Sequence, residues 1–166
     1  MQQPTRSVRF YIWGARLAEI GAMLQLVFAM ATVVQAWDRL PHTIYLPSGI
    51  HGQSVVLGEK WLLMIPLLLL FLLYFLLTLY MRFYRLYRYP VPITERNRDH
   101  QILLLKGFFS YAKFVVAMPI TYSIYVMLSV SLFDRPLWWN WELIAAELLL
   151  LACTALGYRW IARKNA

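Results

Sequence analysis

Residues 61–80 read WLLMIPLLLLFLLYFLLTLY, a run without charge and dominated by leucine. A hydrocarbon core about 30 Å thick is crossed by about 20 helical residues, so this run has the length and the polarity of one transmembrane helix. Its near-uniform apolarity predicts lipid around much of its circumference. Three further windows meet the same criterion: residues 17–37, 114–133 and 141–161. The expectation is an all-α integral membrane protein, a four-transmembrane-helix bundle forming one domain over residues 1–166, with an outer connection at 38–60 and an inner one at 81–113. Composition agrees, since 61% hydrophobic residues and a mean hydropathy of +0.55 exceed what a soluble core in a chain of 166 residues hides.

Tryptophan collects at the membrane–water interface and checks these boundaries independently. Trp37, Trp61, Trp138, Trp139 and Trp141 fall at one set of span ends, Trp13 and Trp160 at the other. Lysine and arginine set the orientation. Thirteen of them lie in the N-terminal segment, in the connection between spans two and three and at the C-terminus, against three (Arg39, Lys60 and Arg135) on the opposite side. The positive-inside rule then places both termini in the cytoplasm of a multi-pass protein of the cell inner membrane. A basic N-terminus before an apolar stretch with a small-x-small site at Ala29–Ala31 also has the look of a signal peptide. The stretch is long enough to span, and it is read as a retained first helix.

The net charge of +8 would raise nucleic acid as a partner in a soluble protein, but here the cations sit between apolar runs, where anionic lipid headgroups and topology account for them. Tyr80, Phe83, Tyr84 and Tyr87 interleave with Arg82, Arg85 and Arg88, which are assigned to lipid phosphates on the cytoplasmic side. The helix of span two should run on to about Tyr89, where Pro90 and Pro92 stop it. Thr94, with Asn97 three residues on, predicts an N-capped amphipathic turn leading into span three, although Asn is a weaker partner than the Glu of a capping box. Pro41, Pro47, Gly49, Gly52 and Gly58 punctuate the outer connection, predicting turns and short extended pieces.

At these connections the chain resembles the bacterial membrane family named domain of unknown function 1648, which also forms part of proteins protecting a spore-former against its own killing-factor toxin. The resemblance rests on Leu40, Pro41, Ile44, Gly52, Gly58 and Lys60 in the outer connection and on the segment from Pro92 to Asn97. It covers roughly residues 18–115. Pro47 stands where the family has His and Val55 where it has Asp, so a site built on those polar residues would be altered here. The resemblance implies a topology, and a role as partner of another membrane protein, more than a chemistry.

Among polar residues Glu147 ranks first. A carboxylate inside span four costs about 2.5–3.5 kcal/mol on insertion scales, and counting depth from the outer ends puts Tyr125 and Ser129 level with it as hydrogen-bond partners. Structural pairing of helices is the favoured role, an ion or proton pathway the rival. Glu19 is expected to pair with Arg16 one turn away, and Lys113 to snorkel to the inner headgroups. Pro119 should kink span three, with Thr121, Tyr122, Ser123 and Tyr125 repairing the freed backbone groups. Pro66 should bend span two slightly. His42, His51 and Glu59 match no zinc spacing, and His100 reads as solvated. Cys153 stands alone in span four and forms no internal disulfide.

No phosphate loop, nucleophile elbow, paired histidines or catalytic triad is present. The reading is therefore non-enzymatic, without metal or cofactor: an accessory or immunity- or signalling-type binding subunit that meets another membrane protein or its own copy. The alternative is a small oligomeric transporter or channel around Glu147, Tyr125 and Pro119.

Overall fold

The computed structural model describes residues 6–48, 53–83, 91–95, 97–133 and 141–164. Its elements are α1 (Arg6–Ala36), a 3-10 turn (Trp37–Arg39), β1 (Thr43–Ser48), β2 (Gln53–Glu59), a second 3-10 turn (Lys60–Leu63), α2 (Met64–Arg82), α3 (Arg98–Phe133) and α4 (Trp141–Lys164). The four helices are each long and apolar enough to cross a membrane. They alternate in direction. The Tyr11 hydroxyl donates to the Leu104 carbonyl (3.3 Å) and Glu19 meets Lys113, so α1 and α3 run parallel. Tyr80 packs edge-on against Phe109 at 5.2 Å, and Phe108 stacks on Tyr158 at 5.3 Å, so α2 and α4 run against them. The start of α1 and the end of α4 therefore lie at one end of the bundle, the end rich in arginine and lysine.

The helices differ in length for reasons written in their sequences. At 1.5 Å per residue, α2 with its preceding turn covers 23 residues and about matches the apolar slab. The 31 residues of α1 and the 36 of α3 exceed it and project at the cationic end. The expected connection over 81–113 is thus shorter than the sequence suggests, because residues 98–113 are the first part of α3. Leu104, Leu105 and Phe109 recur at helical spacing there and bury against Val8, Tyr158 and Ala162 in a second apolar cluster. The Thr94 N–H donates to Asn97 Oδ1 (2.8 Å) and the Arg98 N–H to the Thr94 carbonyl (3.0 Å), so Asn97 performs the carboxamide half of a capping box at the helix start. The α2 helix closes at Arg82, and the continuation expected towards Tyr89 falls on residues 84–90, outside the described set. Pro66 is the third residue of α2, inside the first turn, where its missing N–H removes no bond from the ladder.

At the opposite end β1 and β2 pair antiparallel and close the bundle. The Tyr45 N–H donates to Ser131 Oγ (3.1 Å), tying the hairpin to the end of α3. Leu40 and Ile44 are buried there, in an apolar cluster with Val33, Leu63, Ile124 and Leu128. Two cores, one at each end of the bundle, leave a polar level between them.

Candidate functional site

That level is built around Lys113. Phe109 and Ala117, one turn to either side of it, belong to the two apolar clusters, and the lysine side chain between them is wholly buried. A buried ammonium is costly unless opposite charge and hydrogen-bond acceptors surround it. Two neighbouring helices supply these. Lys113 Nζ donates to Glu19 Oε1 of α1 and to Thr78 Oγ1 of α2 (3.3 Å), and sits 4.9 Å from the centre of the Tyr74 ring. The Tyr74 hydroxyl donates to the same carboxylate oxygen (3.0 Å). Ser110, one turn before Lys113, also lies against the Glu19 carboxylate. The space beside Lys113, between α2 and α3, amounts to about 10 Å³, room for at most one water.

Two sequence expectations are corrected here. Glu19 turns to Lys113 rather than to Arg16, whose guanidinium instead lies 5.7 Å over the Trp13 ring. Lys113 does not snorkel: its side chain is wholly buried and its ammonium is held by Glu19 and Thr78 inside the bundle. The signal was present in the sequence. A lone carboxylate at the inner end of span one and a lone ammonium at the inner end of span three, of opposite sign and similar depth, are natural partners.

Glu147 finds other surroundings. It shares the face of α4 that carries Tyr158 and Ala162, both buried, and Gln101 Nε2 donates to the Ala162 carbonyl (3.1 Å) to set the register of α4 on α3. Carried up that register, Glu147 reaches the turn around Pro119 rather than Tyr125. Tyr125 and Ser129 lie on the other side of α3, lining a groove of about 420 Å³ with Thr32, Gln35 and Arg39. Among the described residues no hydrogen bond or ion pair reaches the Glu147 carboxylate. Depth counted from approximate span ends put Glu147 about two turns too far along α3, and it leaves azimuth free, so it joined residues that differ in both height and face. At Pro119 the Ser123 hydroxyl donates to the Pro119 carbonyl (2.7 Å), and α3 continues unbroken.

No protein-family model, curated protein or solved structure matches this chain. The outer-connection residues therefore take their meaning from their own contacts. Leu40 and Ile44 are core anchors. Gly58 adopts φ +138°, at the point where the ladder slips a register between Ile44 and Tyr45, and a Cβ there would stand 2.7 Å from Leu62 Cδ1. Lys60 donates its N–H to the His42 carbonyl (2.9 Å), while its ammonium lies 5.1 Å over Trp37, itself edge-on to Trp61 at 4.9 Å. Pro41 is half-buried between these anchors. Pro47 and Val55 occupy the two strands, and their side chains, like Gly52, lie outside the described set. Arg82 is exposed at the cationic end, whereas Arg85 and Arg88 fall outside the described residues. Among the described residues, no three His, Cys, Asp or Glu side chains gather as a metal site would require.

Proposed function

We propose that this chain is a bacterial inner-membrane protein, both termini cytoplasmic, that works by binding: a non-catalytic accessory subunit of a larger membrane complex, or an immunity- or signalling-type partner of the kind its likeness to the domain of unknown function 1648 family implies. One observation carries the reading. The buried ammonium of Lys113 is fully occupied by the Glu19 carboxylate, the Thr78 hydroxyl and the Tyr74 ring, with about 10 Å³ to spare. A centre so filled has no room for a substrate. It rigidifies a bundle whose outer surface is left for partners, and helix association in lipid depends on close packing more than on chemistry. The face of α4 with Leu148, Leu149 and Leu156 largely uncovered is available to them.

A transporter is the second reading. It draws on the open groove of about 420 Å³ at Tyr125 and Ser129, where Arg39 stands at the outer end. The two separate in one preparation. Native mass spectrometry of the protein extracted from its own membrane in mild detergent should give a fixed-ratio assembly with a second membrane protein or a second copy. A lone chain that moves a solute across reconstituted vesicles would sink the binding reading.

A further inference from the structure

At the cationic end, a groove of about 560 Å³ runs between α1 and α3, lined by Arg9, Phe10, Trp13, Gly14, Leu17 and Tyr111. That volume is in the range of small-molecule sites. Its form has a local cause. Gly14 lacks a Cβ, and one there would stand 2.0 Å from the Tyr111 hydroxyl oxygen, so Tyr111 can lie directly over the α1 backbone, its hydroxyl donating to the Tyr11 carbonyl (3.3 Å). The bare side of α1 then presents Phe10, Trp13 and Leu17 at helical spacing, each more than half exposed. Arg9 has no carboxylate partner among the described residues, and Arg16 stands beside the groove over the Trp13 ring.

We propose that this groove holds one anionic phospholipid, its phosphate on Arg9 and its first chain segments against Phe10, Trp13 and Leu17. The walls are apolar and the one cation among the lining residues, Arg9, sits at one end, which is the polarity of an amphiphile rather than of a soluble anion. Leu17 lies at the edge of the first apolar span and Arg9 two turns beyond it, so a lipid at headgroup level meets both regions at once. A second copy of the chain fits the groove worse, because it brings the same unpaired Arg9 and Arg16 towards them.

The test uses the purified protein, an equal mixture of phosphatidylglycerol and phosphatidylethanolamine with matched chains, and native mass spectrometry. The wild-type chain should retain one phosphatidylglycerol in preference to phosphatidylethanolamine. Arg9→Gln should weaken that retention about fivefold, the equivalent of about 1 kcal/mol for one basic residue at an anionic surface. Arg159→Gln removes the same charge at the same end of the bundle, on α4 and outside the groove, and should leave retention unchanged. Equal loss in the two variants would reduce the effect to diffuse attraction and overturn the site. Equal retention of the two lipids, displacement by excess inorganic phosphate, or a lipid-free dimer would overturn it as well.

Discussion

A lysine held away from water inside an apolar bundle has its role fixed by what surrounds it. Lys113 joins three helices through one carboxylate, one hydroxyl and one aromatic face. Removing one member of such a pair leaves the other charge uncompensated, which typically costs about 3–5 kcal/mol, whereas replacing both by apolar residues is often neutral. Lys113→Ala should therefore lower stability in micelles by about that amount, and Glu19→Gln by a comparable one. The double change Lys113→Met with Glu19→Leu should recover most of the loss. Denaturant titration followed by circular dichroism measures all three, and a Lys113→Ala protein as stable as wild type would remove the pair from the account. Both residues were visible in the sequence as unusual. Their mutual approach was not, because depth is encoded in span position while azimuth depends on which helix faces turn inward. Glu147 of α4 likewise lies against the turn around Pro119, at another height and on another face of α3 than Tyr125.

For whole helices, what decides packing is the size of side chains along one stripe. Ala15, Ala22, Ala29 and Ala36 recur every seven residues, and each is buried. Gly107 of α3 comes close enough to this stripe that a Cβ there would stand 3.3 Å from the Ala15 Cβ and 2.6 Å from the Tyr11 ring. Small residues allow such close approach in lipid, where burial of apolar surface drives helices together far less than in water. This repeat was legible from spacing alone, but hydropathy hides it, since alanine differs little from its apolar neighbours on that scale. Ala22→Leu should overpack the α1–α3 contact and cost about 1–3 kcal/mol. Leu24→Ala, on the exposed face of α1, should stay within about 0.5 kcal/mol. Equal effects from the two changes would deny α1 a specific packing face. The hairpin offers a parallel case. Gly58→Ala forces a side chain onto a backbone at φ +138° and against Leu62, a strain of about 1–3 kcal/mol. It should speed hydrogen exchange at the Tyr45 amide while leaving exchange in α2 unchanged.

At the scale of the molecule the distribution of charge and of length reinforce each other. The four apolar helices were legible because about 20 uncharged residues leave few alternatives to a span. The early start of α3 was not, because Arg98, Asp99, His100 and Lys106 dilute the apolar signal of a segment whose buried face is carried by Leu104, Leu105 and Phe109. That extension, with the first turns of α1 and the last turns of α4, forms the cationic end, while the hairpin forms the other. The positive-inside rule acts on charge close to span ends and in short connections, and the cationic end satisfies both conditions. The orientation it implies is open to direct labelling. With Cys153→Ser as background, a membrane-impermeant maleimide added to intact cells should modify His42→Cys, at an exposed position between the 3-10 turn and β1, and should leave Asp99→Cys, exposed in the first turn of α3, unmodified until the membrane is permeabilised. The reverse pattern would invert the molecule and place the arginine-rich end outside. Labelling of both positions in intact cells would mean that the helices do not span at all, and the lipid groove at Arg9 would lose the headgroup layer that gives it an occupant.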